Sequence, residues 1–73
     1  MSHQIAVKGP LPLGAFVKLC GAASTGGEAK RLIQGGAVRV NGLIELRRGH
    51  EVVPGDLVEL GGEGFVVVPG DEP

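Results

Sequence analysis

The spacing of apolar residues changes twice along the chain, and each change predicts a different element. Leu13, Phe16, Val17 and Cys20 fall at i, i+3, i+4 and i+7, with Lys18 off that line, which is one apolar face of a helix. Pro12 stands where a helix tolerates a missing N–H, and Gly21 follows as a stop. A second helical stripe is Ala29, Leu32 and Ile33, with Lys30, Arg31 and Gln34 turned away from it. Thr25 and Glu28 have capping-box spacing, the Thr oxygen taking a first-turn N–H and the Glu carboxylate reaching back to the Thr25 N–H. Gly35-Gly36 ends this helix.

From there the period becomes two. Val38 and Val40 alternate with Ala37 and Arg39, Asn41-Gly42 is a tight-hairpin signal, and Leu43 to Leu46 reads as the return strand. Val53-Pro54-Gly55-Asp56 fits a type II turn, 57–60 a strand, Gly61 to Gly64 a turn, and 65–68 a final strand, buried on both faces or pairing centrally. At the other end, Ile5 and Val7 face inward and Gln4 and Ala6 outward in an edge strand over 2–8. The pattern predicts helices over 12–20 and 26–34 and strands over 37–40, 43–46, 57–60 and 65–68. The short link between the helices, Ala22-Ala23-Ser24, implies a helical hairpin. The expected core is Phe16, Val17, Cys20, Leu32, Ile33, Val38, Val40, Leu57 and Val58.

Length adds that this is one domain over 1–73, with its core in about 11–68 and an acidic, disordered tail at 69–73. No apolar run approaches the ~20 residues of a membrane span. The N-terminal residues do not read as a signal peptide. One cysteine cannot form an internal disulfide, which favours a reducing, cytoplasmic setting.

The net charge of −1 argues against a nucleic-acid partner until its distribution is considered. All seven basic residues lie before residue 49, opposed there only by Glu28 and Glu45, so the first fifty residues carry +5. The six acids from Glu51 onward carry −6. Such asymmetry points to an anionic partner, or belongs to an ordinary mixed surface whose halves interleave in space; clustering of the bases by element favours the first.

Candidate chemistry narrows the choice. His3, His50 and Cys20 show no metal-ligand spacing. Cys20 on an apolar face reads as an inert thiol, and His50 beside Arg47-Arg48 as a loop residue or a phosphate contact. Gly61-Gly62-Glu63-Gly64 lacks the Lys and the following helix of a phosphate loop. No catalytic group or cofactor site is expected. Thr25-Gly26-Gly27 has two readings. The glycines open a helix start, with its free N–H groups, to a phosphate, or they only let the helix begin tightly against its neighbours.

The ordered set of these features resembles a known family. The run from Thr25 to Ile33, followed by Gly35 to Gly42, is similar to the core of the ribosomal S-four-type RNA-binding domain, or alpha-L motif. Leu13, Phe16, Val17 and Leu19 resemble its first helix, and Val53 to Leu60 its closing turn and strand. The resemblance implies an α+β fold, a helical hairpin packed on a small, mostly antiparallel sheet. It implies a non-catalytic, monomeric protein gripping the phosphate backbone of structured RNA, ribosomal or transfer RNA, in ribosome assembly or translation in the bacterial cytoplasm. With few aromatic platforms, shape and backbone recognition is favoured over reading of a single strand. The RNA face implied by the resemblance is Lys18, Thr25, Lys30, Arg31, Arg39, Arg47 and Arg48, to which the helix-start reading adds Gly26 and Gly27 as candidates. Asn41 matches the family's turn residue, with a structural role ahead of a base contact. Gly26-Gly27 replaces a pair that is often Arg-Arg in the family, while small stand-alone bacterial members carry the same Thr-Gly-Gly-Glu-Ala-Lys run. Two rivals remain: a protein-interaction module with a weakened RNA grip, and an accessory subunit to an RNA-modifying enzyme.

Overall fold

The computed structural model describes residues 2–70. The elements in order are β1 (Ser2–Val7), β2 (Leu11–Pro12), α1 (Leu13–Leu19), α2 (Gly26–Gln34), β3 (Val38–Val40), β4 (Leu43–Ile44), β5 (Glu51–Val52), β6 (Leu57–Leu60) and β7 (Glu63–Pro69). Two helices therefore pack on a mostly antiparallel sheet.

Local chemistry sets the element ends. Thr25 is extended, and its side chain accepts the Glu28 N–H at 3.1 Å. The Glu28 carboxylate reaches back to the N–H of Ser24, at 2.6 Å, one residue earlier than the Thr25 N–H that the capping box predicts. Both helices end in the same double bond. Gly21 and Ala22 donate to the carbonyls of Lys18 and Val17, and Gly36 and Ala37 to those of Ile33 and Leu32. This is a Schellman closure, which needs left-handed backbone at its glycine. Gly21 and Gly36 supply it with φ of 87° and 83°.

The main sheet has the order β1-β7-β6-β3-β4. β1 and β7 run parallel, and the other ladders are antiparallel. β1 is an edge strand as expected, while β7 is central but buried on one face only, since Phe65 and Val67 are buried and Val66 is exposed. A second ladder, Leu11–Pro12 with Glu51–Val52, has no counterpart in the expected elements. Several bounds also differ. The return strand is regular only to Ile44, although the Glu45 N–H still donates to the Val38 carbonyl of β3 at 3.0 Å, and β7 begins at Glu63 because Gly61-Gly62 alone make the turn. Pro69 closes β7 and the Gly70 N–H donates to the Val7 carbonyl at 2.6 Å, so the tail is ordered to that point. The rest of the expected tail, 71–73, lies outside the described residues.

The core lies between the helices and one sheet face. Leu13, Phe16, Val17, Ala29 and Ile33 from the helices meet Val38, Val40, Val58, Leu60, Phe65 and Val67 from the strands. Phe16 and Phe65 pack edge to face with ring centres 6.5 Å apart. Three residues expected inside are only half-buried: Cys20, Leu32 and Leu57. On α2 the fully buried stripe is Ala29 and Ile33, four apart, which leaves Leu32 at its margin. On β6, Val58 and Leu60 face the helices, so Leu57 takes the opposite face.

Candidate nucleic-acid interface

All ten residues of the expected RNA face are exposed, yet the fold does not gather them in one place. The start of α1 organises the part that it does gather. Pro12 caps that helix with no side-chain bond, which leaves its first N–H groups without partners. The loop after β4 supplies them: Leu13 N–H donates to the His50 carbonyl at 2.7 Å, and Gly14 N–H to the Arg48 carbonyl at 2.9 Å. These bonds fix the 47–50 loop against α1.

The result is an open cleft of about 290 Å³ lined by Pro12, Gly14, Ala15, Lys18, Gly26, Ala29, Arg48 and Gly49. Lys18 and Arg48 meet here with the first residue of α2. The cleft floor is small side chains, and no acid lines it. Lys30 stands one turn beyond Gly26, and Arg31 one turn beyond Gly27, on the outer side of α2. Among the described residues, Lys18, Lys30, Arg31 and Arg48 make no ion pair. Thr25 is committed to the cap through Glu28.

Three candidates fall elsewhere. Arg39 points away from Val38 and Val40, onto the sheet face that the helices leave open, directly opposite Glu59 on β6. It lines a different cleft, of about 570 Å³, with Glu59, Glu63 and the glycines 61, 62 and 64. Arg47 is held by Glu45, whose Oε2 accepts the Arg47 backbone N–H at 3.0 Å and its Nε–H at 3.1 Å. That pairing keeps the Glu45 carboxyl below its ordinary value. Arg39 therefore lies on a different face from the helix-side bases, and Arg47 is paired with Glu45, so the face implied by the resemblance is not gathered in one cleft.

Asn41 is a structural residue. It adopts φ of 53°, and with Gly42 at 87° it forms the left-handed two-residue turn joining β3 to β4. Its Nδ2 donates to Asp56 Oδ1 at 3.0 Å, and its Oδ1 accepts the Leu57 N–H at 2.9 Å. Asp56 Oδ2 in turn accepts the Val53 N–H at 3.0 Å. One side chain thus ties two turns that are 15 residues apart in sequence.

Sequence reasoning missed the pairing of Glu45 with Arg47 and the approach of His50 Nδ1 to Glu45 Oε1 at 3.3 Å. The Glu-x-Arg spacing was the available signal. It also missed a pair at the far end, His3 Nε2 and Glu63 Oε1 at 2.6 Å, with the His3 ring stacked on Phe65. Burial pushes the Cys20 thiol above its ordinary value, so it stays protonated at neutral pH and fits the inert reading.

The model of the S4 domain family matches residues 6–68 of the chain. Among solved structures, the solution structure of YbcJ from E. coli, described as revealing an alfaL motif involved in RNA-binding, matches with a TM-score of 0.64 at 30% sequence identity. The match covers 92% of this chain and 85% of that one. A search of curated proteins found no match.

Proposed function

The chain belongs to the S4 domain family, and on that premise we propose that it binds structured RNA without catalysing a reaction on it. The observation that carries the reading is the helix-side cleft, where Lys18 and Arg48 stand beside the open start of α2 with no acid among the lining residues. Lysine and arginine side chains are the usual holders of backbone phosphates, and the helix start adds N–H groups and the positive end of its dipole. Lys30 and Arg31 extend the positive surface along α2.

The chain has two aromatic residues, Phe16 and Phe65, and both are buried, so stacked single-stranded bases have no platform. That favours the backbone of folded RNA; the family resemblance, and not the aromatic count, extends the proposal to RNA of the ribosomal or transfer class, in the cytoplasm, with the protein acting as a monomer in ribosome assembly or translation. Arg39 is assigned no part in the grip, because it lies on the sheet face away from the helix-side cleft, opposite Glu59 on β6.

The test is binding of a structured RNA followed against salt. Reversing Lys18 and Arg48 together to Glu should lower affinity by roughly a hundredfold at 0.1 M salt, and each phosphate-binding cation removed should reduce the slope of log affinity against log salt by about 0.7 to 0.9. Arg39→Glu, on the far face, should change affinity less than about twofold, since its charge is remote from the bound strand and screened. Equal losses from the two variants would contradict the placement.

One observation favours a second reading, a protein-interaction module. Leu43, Ile44 and Leu46 are exposed on and beside the edge strand β4, at 74%, 55% and 54%. Binding of bulk RNA that is unaffected by the Lys18 and Arg48 reversals, or absent altogether, would move this reading to first place.

A further inference from the structure

The two neighbouring arginines of the 47–50 loop look interchangeable in sequence, but the fold treats them differently. Glu45 follows β4 and is anchored to β3 by its N–H, which donates to the Val38 carbonyl at 3.0 Å. Its carboxylate is turned into the loop. Oε2 accepts both the backbone N–H and the Nε–H of Arg47, and Oε1 lies 3.3 Å from His50 Nδ1. The Glu45 side chain is 16% exposed, against 77% for Arg47. The loop closes with the His50 N–H on the Arg47 carbonyl at 3.2 Å, and its far side is bonded to the start of α1. One carboxylate therefore takes contacts from both ends of a four-residue loop whose middle, Arg48 and Gly49, lines the cleft.

We infer that Glu45 is a positioning residue for RNA binding: it neutralises Arg47 as a phosphate ligand and holds the loop so that Arg48 is the arginine the cleft presents. The inference rests on the RNA-binding reading above. Its physical basis is the charge balance at the loop. Arg47 and Glu45 form a pair of zero net charge, and a neutral pair displaces no counterion from RNA, whereas an unpaired guanidinium does. An exposed ion pair is ordinarily weak and exchanges with water. Here the same carboxylate oxygen also binds the Arg47 backbone N–H, so the acceptor stays in place when the guanidinium moves.

The test is a set of salt titrations with one structured RNA and the full chain. The variants are Arg48→Gln, Arg47→Gln, Glu45→Gln, and Glu45→Gln combined with Arg47→Gln, each checked for an unchanged fold by circular dichroism and melting. Arg48→Gln should lower the salt slope by about 0.7 to 0.9, and affinity at 0.1 M salt by roughly five- to eightfold. Arg47→Gln in the parent should leave the slope unchanged. Glu45→Gln should raise the slope by up to about the same 0.7 to 0.9, because it releases Arg47, and adding Arg47→Gln should cancel that rise. A merely structural Glu45 would shift the melting temperature without this conditional effect on the slope. The inference is overturned if Arg47→Gln in the parent lowers the slope as much as Arg48→Gln does. It is also overturned if Arg47→Gln has the same effect with and without Glu45. A parent that shows no salt-dependent binding overturns the RNA reading itself and this inference with it, an outcome visible before any variant is compared.

Discussion

Arg48 and Arg39 are both exposed arginines, and their surroundings make them different residues. Arg48 lines the helix-side cleft with Lys18, Gly26 and small side chains, and no acid is part of that lining. Arg39 lines a larger cleft on the open sheet face, where Glu59 lies directly opposite it, while Glu63, at the end of the neighbouring β6–β7 ladder, is bonded to His3. The first cleft is a concentration of positive charge, and the second holds charges of both signs. Folding decides which bases of the +5 half of the sequence remain available. β6 sets Glu59 of the −6 half across from Arg39 in register, and the loop after β4 folds Glu45 onto Arg47. Net charge along a chain is therefore a poor guide to net charge at a surface when a sheet interleaves distant segments.

The largest perturbation tests whether the two clefts share one support. Phe16 is fully buried and packs edge to face on Phe65, linking α1 to β7. Phe16→Ala should cost about 3–5 kcal/mol, much of the stability of so small a domain, and should loosen the helix side first. A denaturant midpoint within error of the parent would show that α1 is not the docking element.

A smaller effect sharpens the sheet side of the comparison. Asn41→Ala loses the bonds to Asp56 and to the Leu57 N–H and forces a left-handed backbone on a residue that resists it, at a cost of about 1–3 kcal/mol. Asn41→Gly keeps the backbone freedom and should cost less. Both variants, once folded, should bind RNA like the parent. A folded Asn41→Gly variant with a specific loss of RNA affinity would restore the base-contact role.

The smallest effect is in the pH profile. Glu45 is held below the ordinary carboxylate value chiefly by its hydrogen bond from Arg47, and Glu63 chiefly by its bond with His3. A carboxylate whose folded value is depressed contributes stability above its unfolded value, near 4.5, and loses it as pH falls through the folded value. Stability should therefore decline below about pH 4.5, and Glu45→Gln and Glu63→Gln should each flatten part of that decline. Thermal melts at pH 3 to 6 read this directly. An unaltered profile in Glu45→Gln would mean that the Arg47 pairing is not kept in solution.

The legible parts of this fold are the ones set by neighbours in sequence. The Thr25 to Glu28 cap, the Gly36 stop, the Asn41-Gly42 turn and the Val53 to Asp56 turn each need only a few adjacent residues, and all four form. What escaped needed distant partners. The Leu11–Pro12 ladder exists because Glu51–Val52 reaches it from forty residues away. Leu57 and Leu60 could exchange faces until the register Val58↔Phe65 chooses. Leu32 matched the helical stripe, but the neighbours of α2 cover Ala29 and Ile33 more fully. The site followed the same rule. Lys18, Gly26 and Arg48 share a cleft because loop carbonyls satisfy the start of α1, and Arg39 is on the other sheet face because Val38 and Val40 take the core side of β3.

Backbone amide mapping by NMR tests the contrast between the two clefts most directly. The labelled protein is titrated with a structured RNA at low salt, and shifts are read residue by residue. The account predicts the largest shifts at Lys18, Gly26, Gly27, Arg48 and Gly49, with Arg39, Glu59 and Gly62 close to their free positions. Shifts centred on Arg39 and the 61–64 turn, with the helix-side cleft unmoved, would contradict it.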